Sequence, residues 1–441
     1  MIRHQIRLAL SHAGFKRYFA NVSWISLNRL IRLGVGFFVG VWVARYLGPS
    51  QFGVLSFGIA WVGLFSVLSQ LGLEGIVVRD VVADPSGARA TLGTATVLRI
   101  LGGTVSVFAA IGVYAAAYGT TNTQQLAVIA VLAAAQVFLA ADVIDYWFRS
   151  RVEWKYVFRA RISAFALSTG VKVGMLLVGA SVIWLAVVTV LEASLAAGFL
   201  FASLRRHKAH LGRWEARIRT AKRLLRDSWP AIFTGIAVVI YMRIDQIMIG
   251  SILTEADVGV YSVAVRLSEV WYMIPVAVTQ TVMPGIVAAR KVGDGSYERR
   301  IVWLIAFLFW ASVAAAVLMT FIAVPLVHWV FGEAYAAAGR VLQIHFWAGL
   351  FVAVGVAISQ WYLAENLLKI NLYRTMAGAV VNLILNILLI PTLGIVGAAV
   401  ATVISYFVSA YLSAWWFPQG RTAWRLLNRG IFYPLRGRGR V

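Results

Sequence analysis

The sequence predicts an all-α polytopic membrane protein of about twelve transmembrane helices, arranged as two six-helix lobes related by a pseudo-two-fold axis along the membrane normal. Three observations carry that prediction. Of the 441 residues, 61% are apolar, against roughly 45–50% in an average soluble chain. The apolar residues gather into runs of about 20 or more, the length a helix needs to cross about 30 Å of hydrocarbon. Only 13% of residues are charged, yet 40 are basic and 17 acidic, for a net charge of +23.

Taken in chain order, the expected spans are 24–46, 52–73, 91–118, 126–148, 162–180 and 182–204, then 229–253, 258–289, 301–324, 341–364, 370–390 and 395–417. No short apolar core with a small-residue cleavage site precedes the first span, so that span is expected to stay in the mature protein. The longest polar stretch inside the chain, 205–227, reads as a basic linker between an N-terminal lobe (1–204) and a C-terminal lobe (228–417), with a basic tail at 418–441.

Orientation follows from where Lys and Arg fall between spans. Alternate loops and both termini hold 32 of the 40 basic residues, among them the groups from Arg149 to Arg161, from Arg205 to Arg226 and from Arg421 to Arg440, together with Lys369 and Arg374. The opposite loops hold only Arg45 and Arg340. This bias puts both termini in the cytoplasm of a multi-pass protein of the cell (inner) membrane. It also accounts for the net charge as an orientation signal and an attraction to anionic lipid, so no nucleic-acid partner is needed. With no cysteine in the chain, disulfides, thiolate nucleophiles and zinc–thiolate sites are excluded.

Internal similarity supports duplication. Leu47, Phe52, Gly53, Val54 and Ser56 align with Leu253, Val258, Gly259, Val260 and Ser262 at an offset of 206. Trp147, Phe148 and Lys155 align with Trp361, Tyr362 and Lys369 at 214, and Val187, Thr189 and Val190 with Val400, Thr402 and Val403 at 213. Parallel repeats of this kind commonly place a substrate site between the halves and work by rocking, so a transporter is expected.

With Arg45 and Arg374, near span ends, counted with the loops, six basic residues fall within the spans: Arg29, Arg32, Arg99, Lys172, Arg243 and Arg266. A charge at the bilayer centre costs about 2.5–3.5 kcal/mol on insertion scales, so it faces a cavity or a partner. Arg29 and Arg32 share a helix face and read either as a cationic patch on a cavity wall or as residues snorkelling to the interface. In the seventh and eighth spans, counting from the connecting loop pairs Asp245 with Arg266 and Arg243 with Glu269, either as structural bridges or with an arginine left free for an anion. Lys172 and Glu192 form a similar, looser pair. Asp142 and Asp145 read as interface anchors beside Arg149 and Arg151, and Trp24, Trp329, Trp361, Trp415 and Trp416 as interfacial belt residues.

Residues 44–53 (ARYLGPSQFG), 71–73 (LGL), 243–250 (RIDQIMIG) and 258–264 (VGVYSVA), with Asn382, Asn386 and 390–399 (IPTLGIVGAA), resemble polysaccharide repeat-unit (O-antigen type) flippases of the multidrug/oligosaccharidyl-lipid/polysaccharide exporter superfamily. The resemblance implies a two-lobed bundle whose first, second, seventh and eighth helices line a central cavity. It also implies a cargo of oligosaccharide on an undecaprenyl diphosphate carrier, moved from the inner to the outer leaflet. Arg29, Arg32, Arg243 and Arg266 stand where that family carries its anion-binding cavity arginines, while Asp245, Glu269, Lys172 and Glu192 are candidates for ion pairing or coupling. Relatives that move the peptidoglycan precursor have fourteen spans against the twelve expected here.

No catalytic set, metal or cofactor is expected; the partners are the lipid-linked glycan, membrane lipids and polysaccharide assembly enzymes. The alternatives are a multidrug or other lipid exporter of the same superfamily, which for cationic drugs needs an acidic cavity, and a membrane polymerase or glycosyltransferase, which needs a large outer loop. The longest outer loop, near 325–340, offers only His328, Glu333 and Arg340, which read as surface residues. No phosphate-cradling glycine loop followed by Lys-Ser/Thr occurs.

Overall fold

A computed structural model of the chain describes residues 12–207, 214–290, 295–365, 367–418 and 420–433, with side chains from Ile31 onward except that of Leu368. Among these residues every regular element is helical. In order they are α1 (His12–Gln70), α2 (Leu73–Ala83), α3 (Ala88–Tyr118), α4 (Thr123–Phe138), α5 (Asp142–Ser150), α6 (Trp154–Leu177), α7 (Val182–Arg206) and α8 (Ile218–Ile252). Then follow α9 (Glu255–Ala289), α10 (Ser296–Phe331), α11 (Ala337–His345), α12 (Ala348–Ala364), α13 (Leu368–Leu393), α14 (Ile395–Phe407), α15 (Ser413–Trp416) and α16 (Gly420–Ile431).

Eleven helical stretches of the described residues are long and apolar enough to cross a membrane. The first of them, Ile31–Ala83, runs 53 residues and is broken at Gly48 (φ 69°, ψ 172°), so it supplies the first two of the twelve expected crossings. Gly48 takes a backbone conformation that costs other residues energy. Pro49 then opens the next helix, where its missing N–H is no loss. The matching turn between α8 and α9 is closed by chemistry instead: the Thr254 side chain accepts from the Asp257 N–H and the Asp257 carboxylate accepts from the Thr254 N–H, both at 3.2 Å, a capping box.

Two stretches read as polar connections are helical. Ile218 to Asp227 opens α8, and the tail from Gly420 folds as α16. Helix α16 has Arg421, Arg425 and Arg429 at four-residue spacing and buries Ala423, Leu426, Leu427 and Gly430, a one-sided pattern that a count of tail charges does not reveal.

The chain divides into two compact units, one of Met1–Tyr46 with Trp61–Ile236 and the other of Leu47–Ala60 with Ala237–Val441. The core of the first gathers Leu73, Val77, Leu92, Val143, Phe148 and Leu204; that of the second gathers Ile286, Ile305, Ile358, Tyr362 and Leu427. The repeat-matched pairs Trp147–Phe148 and Trp361–Tyr362 therefore occupy equivalent cores, each within its own unit. Trp361 is buried there rather than being a belt residue, whereas Trp329, Trp415 and Trp416 are exposed; the Trp24 side chain lies outside the described residues.

In the second unit the repeat-matched glycines pack against each other's backbones. A Cβ on Gly53 would lie 1.7 Å from the carbonyl oxygen of Glu255, and one on Gly259 would lie 2.0 Å from that of Pro49. Hydrocarbon offers helices little hydrophobic drive to associate, so close backbone approach through small residues supplies the contact.

Candidate functional site

In the first unit, Arg32 on α1 reaches Glu192 on α7, Nη2 to Oε1 at 2.5 Å, and its guanidinium lies 4.8 Å from the ring centroid of Phe165 on α6. Ser168 completes the group, donating to Glu192 Oε2 at 3.3 Å. The expected Lys172–Glu192 pair is thus replaced by Arg32–Glu192. Depth explains the change: Ser168 lies one turn beyond Lys172 along α6, about 6 Å of helix, and it is Ser168 that draws level with Glu192. The backbone of Arg29 lies in α1, and its side chain is outside the described residues.

Asp142 and Asp145 prove to be more than interface anchors. The Asp145 carboxylate is fully buried and takes Arg149 Nε at 2.6 Å, Arg149 Nη2 at 2.8 Å and Arg161 Nη2 at 3.0 Å. Asp142 takes Arg161 at 2.9 Å and Arg99, itself 1% exposed, at 3.3 Å. Arg149 also holds Glu74, and Arg99 also holds the Tyr146 hydroxyl. This closed ionic network fastens α2, α3, α5 and α6 together, which removes Arg99 from the free intramembrane cations.

In the second unit, Arg243 on α8 pairs with Glu269 on α9 at 3.5 Å, both partly exposed, as the depth count expects. The companion Asp245–Arg266 pair does not form. Asp245 is buried and among the described residues receives only neutral donors: Tyr261 Oη at 2.8 Å and Thr402 Oγ1 at 2.5 Å on Oδ2, and Asn386 Nδ2 at 2.6 Å on Oδ1. Asn386 also donates to Asn382 at 3.2 Å, and its own Oδ1 is buried without a partner. Arg266 is half-buried, its guanidinium 6.0 Å from the Phe52 ring centroid, and makes no ion pair or hydrogen bond among the described residues. The reason is direction: two residues on facing helices can share a depth and still point to different neighbours.

An inventory of charges passes over the groups that hold Asp245. Asn382, Asn386 and Thr402 carry no charge; their signal in the sequence is a pair of amides one helical turn apart in an otherwise apolar run. Arg374, counted with the loops, lies inside α13 at 6% exposure, donating to the Gly355 carbonyl at 3.0 Å, Asn371 Oδ1 at 2.8 Å and the Ser359 hydroxyl. Carbonyls and a hydroxyl satisfy its donors, with no carboxylate partner among the described residues. No group of three or more His, Cys, Asp or Glu among the described residues is arranged to hold a metal ion.

Residues 18–289 match the family model described as polysaccharide biosynthesis protein. The chain belongs to that family. Residues 230–388 also match the MatE family. A relative in Haloferax volcanii, the probable low-salt glycan biosynthesis flippase Agl15, is 25% identical over 92% of this chain and 83% of its own length. The probable flippase AglR of the same organism is 29% identical over 41% of this chain. Among solved structures, the lipid II flippase MurJ in its inward closed conformation superposes with a TM-score of 0.73 at 15% identity, covering 94% of this chain and 93% of its own. An inward-facing multidrug resistance MATE family transporter of the MOP superfamily also gives 0.73, at 18% identity over 93% and 99%. The fold of this chain is therefore similar to that of these MATE and MurJ structures.

Proposed function

We propose that this protein is a flippase that moves an undecaprenyl-diphosphate-linked oligosaccharide, the repeat unit of an O-antigen type polysaccharide, from the inner to the outer leaflet by alternating access. Both termini lie in the cytoplasm on this reading. The observation that carries it is Arg266, a half-buried guanidinium in a membrane-spanning helix with no carboxylate bound to it. A cation left unpaired at that depth is costly unless an anion arrives, and a guanidinium fits a phosphate oxygen pair. Arg32 and Arg243 share the role. Their carboxylate partners are partly solvated, so an incoming diphosphate can compete for them at small cost. Family membership and the glycan flippases among the relatives support the same reading.

The carrier's sugars and phosphates cannot cross hydrocarbon unaided. An inside-negative potential favours outward movement of an anion by about 2.3 kcal/mol per charge per 100 mV, or about 4–5 kcal/mol for two charges. Asp245 adds a coupling candidate, because a carboxylate ringed by neutral donors is charge-balanced only when it takes up a proton or a small cation. A multidrug exporter for cationic drugs fits less well, since Asp142, Asp145, Glu192 and Glu269 are already paired with arginines and Asp245 is buried. In proteoliposomes carrying a lipid-linked oligosaccharide, Arg266→Ala is expected to slow flipping at least tenfold, in line with about 1.5–3 kcal/mol for a hydrogen bond to a charged group. Arg32→Ala and Arg243→Ala should each show a smaller loss, and wild-type rates in all three would overturn the proposal.

A further inference from the structure

The second unit contains a cavity of about 700 Å³ whose lining includes Thr281, Ser296, Arg299, Arg300, Trp303 and Tyr433. It lies where the last turns of α9 meet the first turns of α10 and the end of α16. We propose that it is a binding site for an anionic phospholipid, with the headgroup phosphate held by Arg299 and Arg300 and an acyl chain along Trp303 and Phe307. The proposal goes beyond the flippase reading, because none of these residues belongs to the cargo arginines.

The charge balance of the cavity is the first argument. Two guanidiniums, the Thr281 and Ser296 hydroxyls and the Tyr433 phenol line it, with no carboxylate among the described lining residues. The neighbouring acids among the described residues are committed elsewhere: Glu298 takes Arg429 at 3.3 Å, and Glu365 takes Arg290 and the Tyr297 hydroxyl, each at 2.8 Å. Arg300 donates to the Gly285 carbonyl at 3.2 Å, which fixes its stem. Arg299 makes no hydrogen bond or ion pair among the described residues. A planar fork of donors beside hydroxyls suits a phosphate.

The second argument separates a lipid from a soluble anion. Trp303 is 52% exposed and Phe307 46% exposed, and the two rings stack at 5.6 Å and 8° one turn apart on α10. A cationic headgroup pocket continuing into an exposed aromatic strip on a membrane-spanning helix matches an amphiphile, with the indole at the boundary between the two. Helix α16 completes the site. Gly430 packs onto Ile305 and Val302, and Trp310 Nε1 donates to the Ile431 carbonyl at 3.1 Å, which holds Tyr433 at the cavity edge. On the orientation expected from the basic loops this is the cytoplasmic leaflet, where anionic lipid is concentrated.

The test is native mass spectrometry of the purified full chain, titrated with phosphatidylglycerol or phosphatidylcholine in detergent. The wild type should retain phosphatidylglycerol in preference, and R299Q/R300Q should lose that preference, weakening retention about fivefold for each arginine removed. A control, R205Q/R206Q, removes the same charge from exposed positions at the end of α7 and should keep it. Equal retention in R299Q/R300Q, or an equal loss in the control, would overturn the site, and displacement of the lipid by millimolar inorganic phosphate would assign the cavity to a soluble anion instead. If the double variant is not recovered, R299Q alone decides the matter by the same reading.

Discussion

Each unit buries a carboxylate in a membrane-spanning stretch, and the two are neutralised in opposite ways. Asp145 in the first unit is clamped by two guanidiniums, Arg149 and Arg161. Asp245 in the second is held by a phenol, a hydroxyl and an amide, none of which carries a charge. In a low-dielectric interior the first arrangement is closed: removing any one ion strands the others, so the network acts as a rivet. The second is solvated but not neutralised. Under the coupling role proposed above, a proton or small cation balances its charge, and the buried, unpartnered Oδ1 of Asn386 offers one more oxygen to it. On the proposed function the same residue type is a fastener in one unit and an exchange site in the other, and only the partners distinguish them.

Three substitutions break or sharpen that contrast. The largest effect is expected for Asp145→Ala, which leaves Arg149 and Arg161 without their shared carboxylate. Breaking a buried pair costs about 3–5 kcal/mol, so thermal unfolding in detergent should show a strong loss of folded protein; a change under about 1 kcal/mol would mean that the network is no rivet. Asp245→Asn should be far milder, about 1 kcal/mol or less. The shape is kept and a flip of Asn386 presents its free oxygen to the new amide. Any stabilisation of the wild type by sodium or by acidification should vanish in this variant, and its persistence would remove Asp245 from coupling. The smallest change in stability belongs to Glu192→Gln, within about 1 kcal/mol because Arg32 and Glu192 are partly exposed. By freeing Arg32 it should tighten binding of a diphosphate-bearing lipid, measured by titration; weaker binding would show that Glu192 orients Arg32 rather than competing for it.

The architecture was legible because apolar run length and the one-sided placement of Arg and Lys are both strong, additive signals along a chain. The break at Gly48-Pro49 and the turn at Thr254–Asp257 were readable in the same way. Partner choice was not. Counting residues from a loop gives depth, which sufficed for Arg243–Glu269, but it gives no azimuth, and so Asp245 pairs with Arg266 on that count; for Glu192 the depth itself is one turn out, at Lys172 instead of Ser168. The cage around Asp245 also draws on α13 and α14, more than 130 residues further along the chain. Arg374 was hidden by a different effect, since one basic residue a turn inside a span looks like the last residue of a loop until its carbonyl partners are seen.

The contact between Gly53 and Gly259 has a consequence for how the protein can be taken apart. Fourteen residues from near the start of the chain, Leu47–Ala60, belong to the unit that otherwise begins at Ala237, much as a swapped segment does in an intertwined dimer. Cutting the polypeptide at the basic linker would therefore not yield two whole modules: the later fragment would lack a piece of itself, and the earlier one would carry a tip with nothing to hold. Adding that tip back as a separate peptide should restore the later fragment only if glycine is kept at both matched positions. Within the seam the side chains on either side have already diverged, Pro49 against Glu255, while the backbone fit has not.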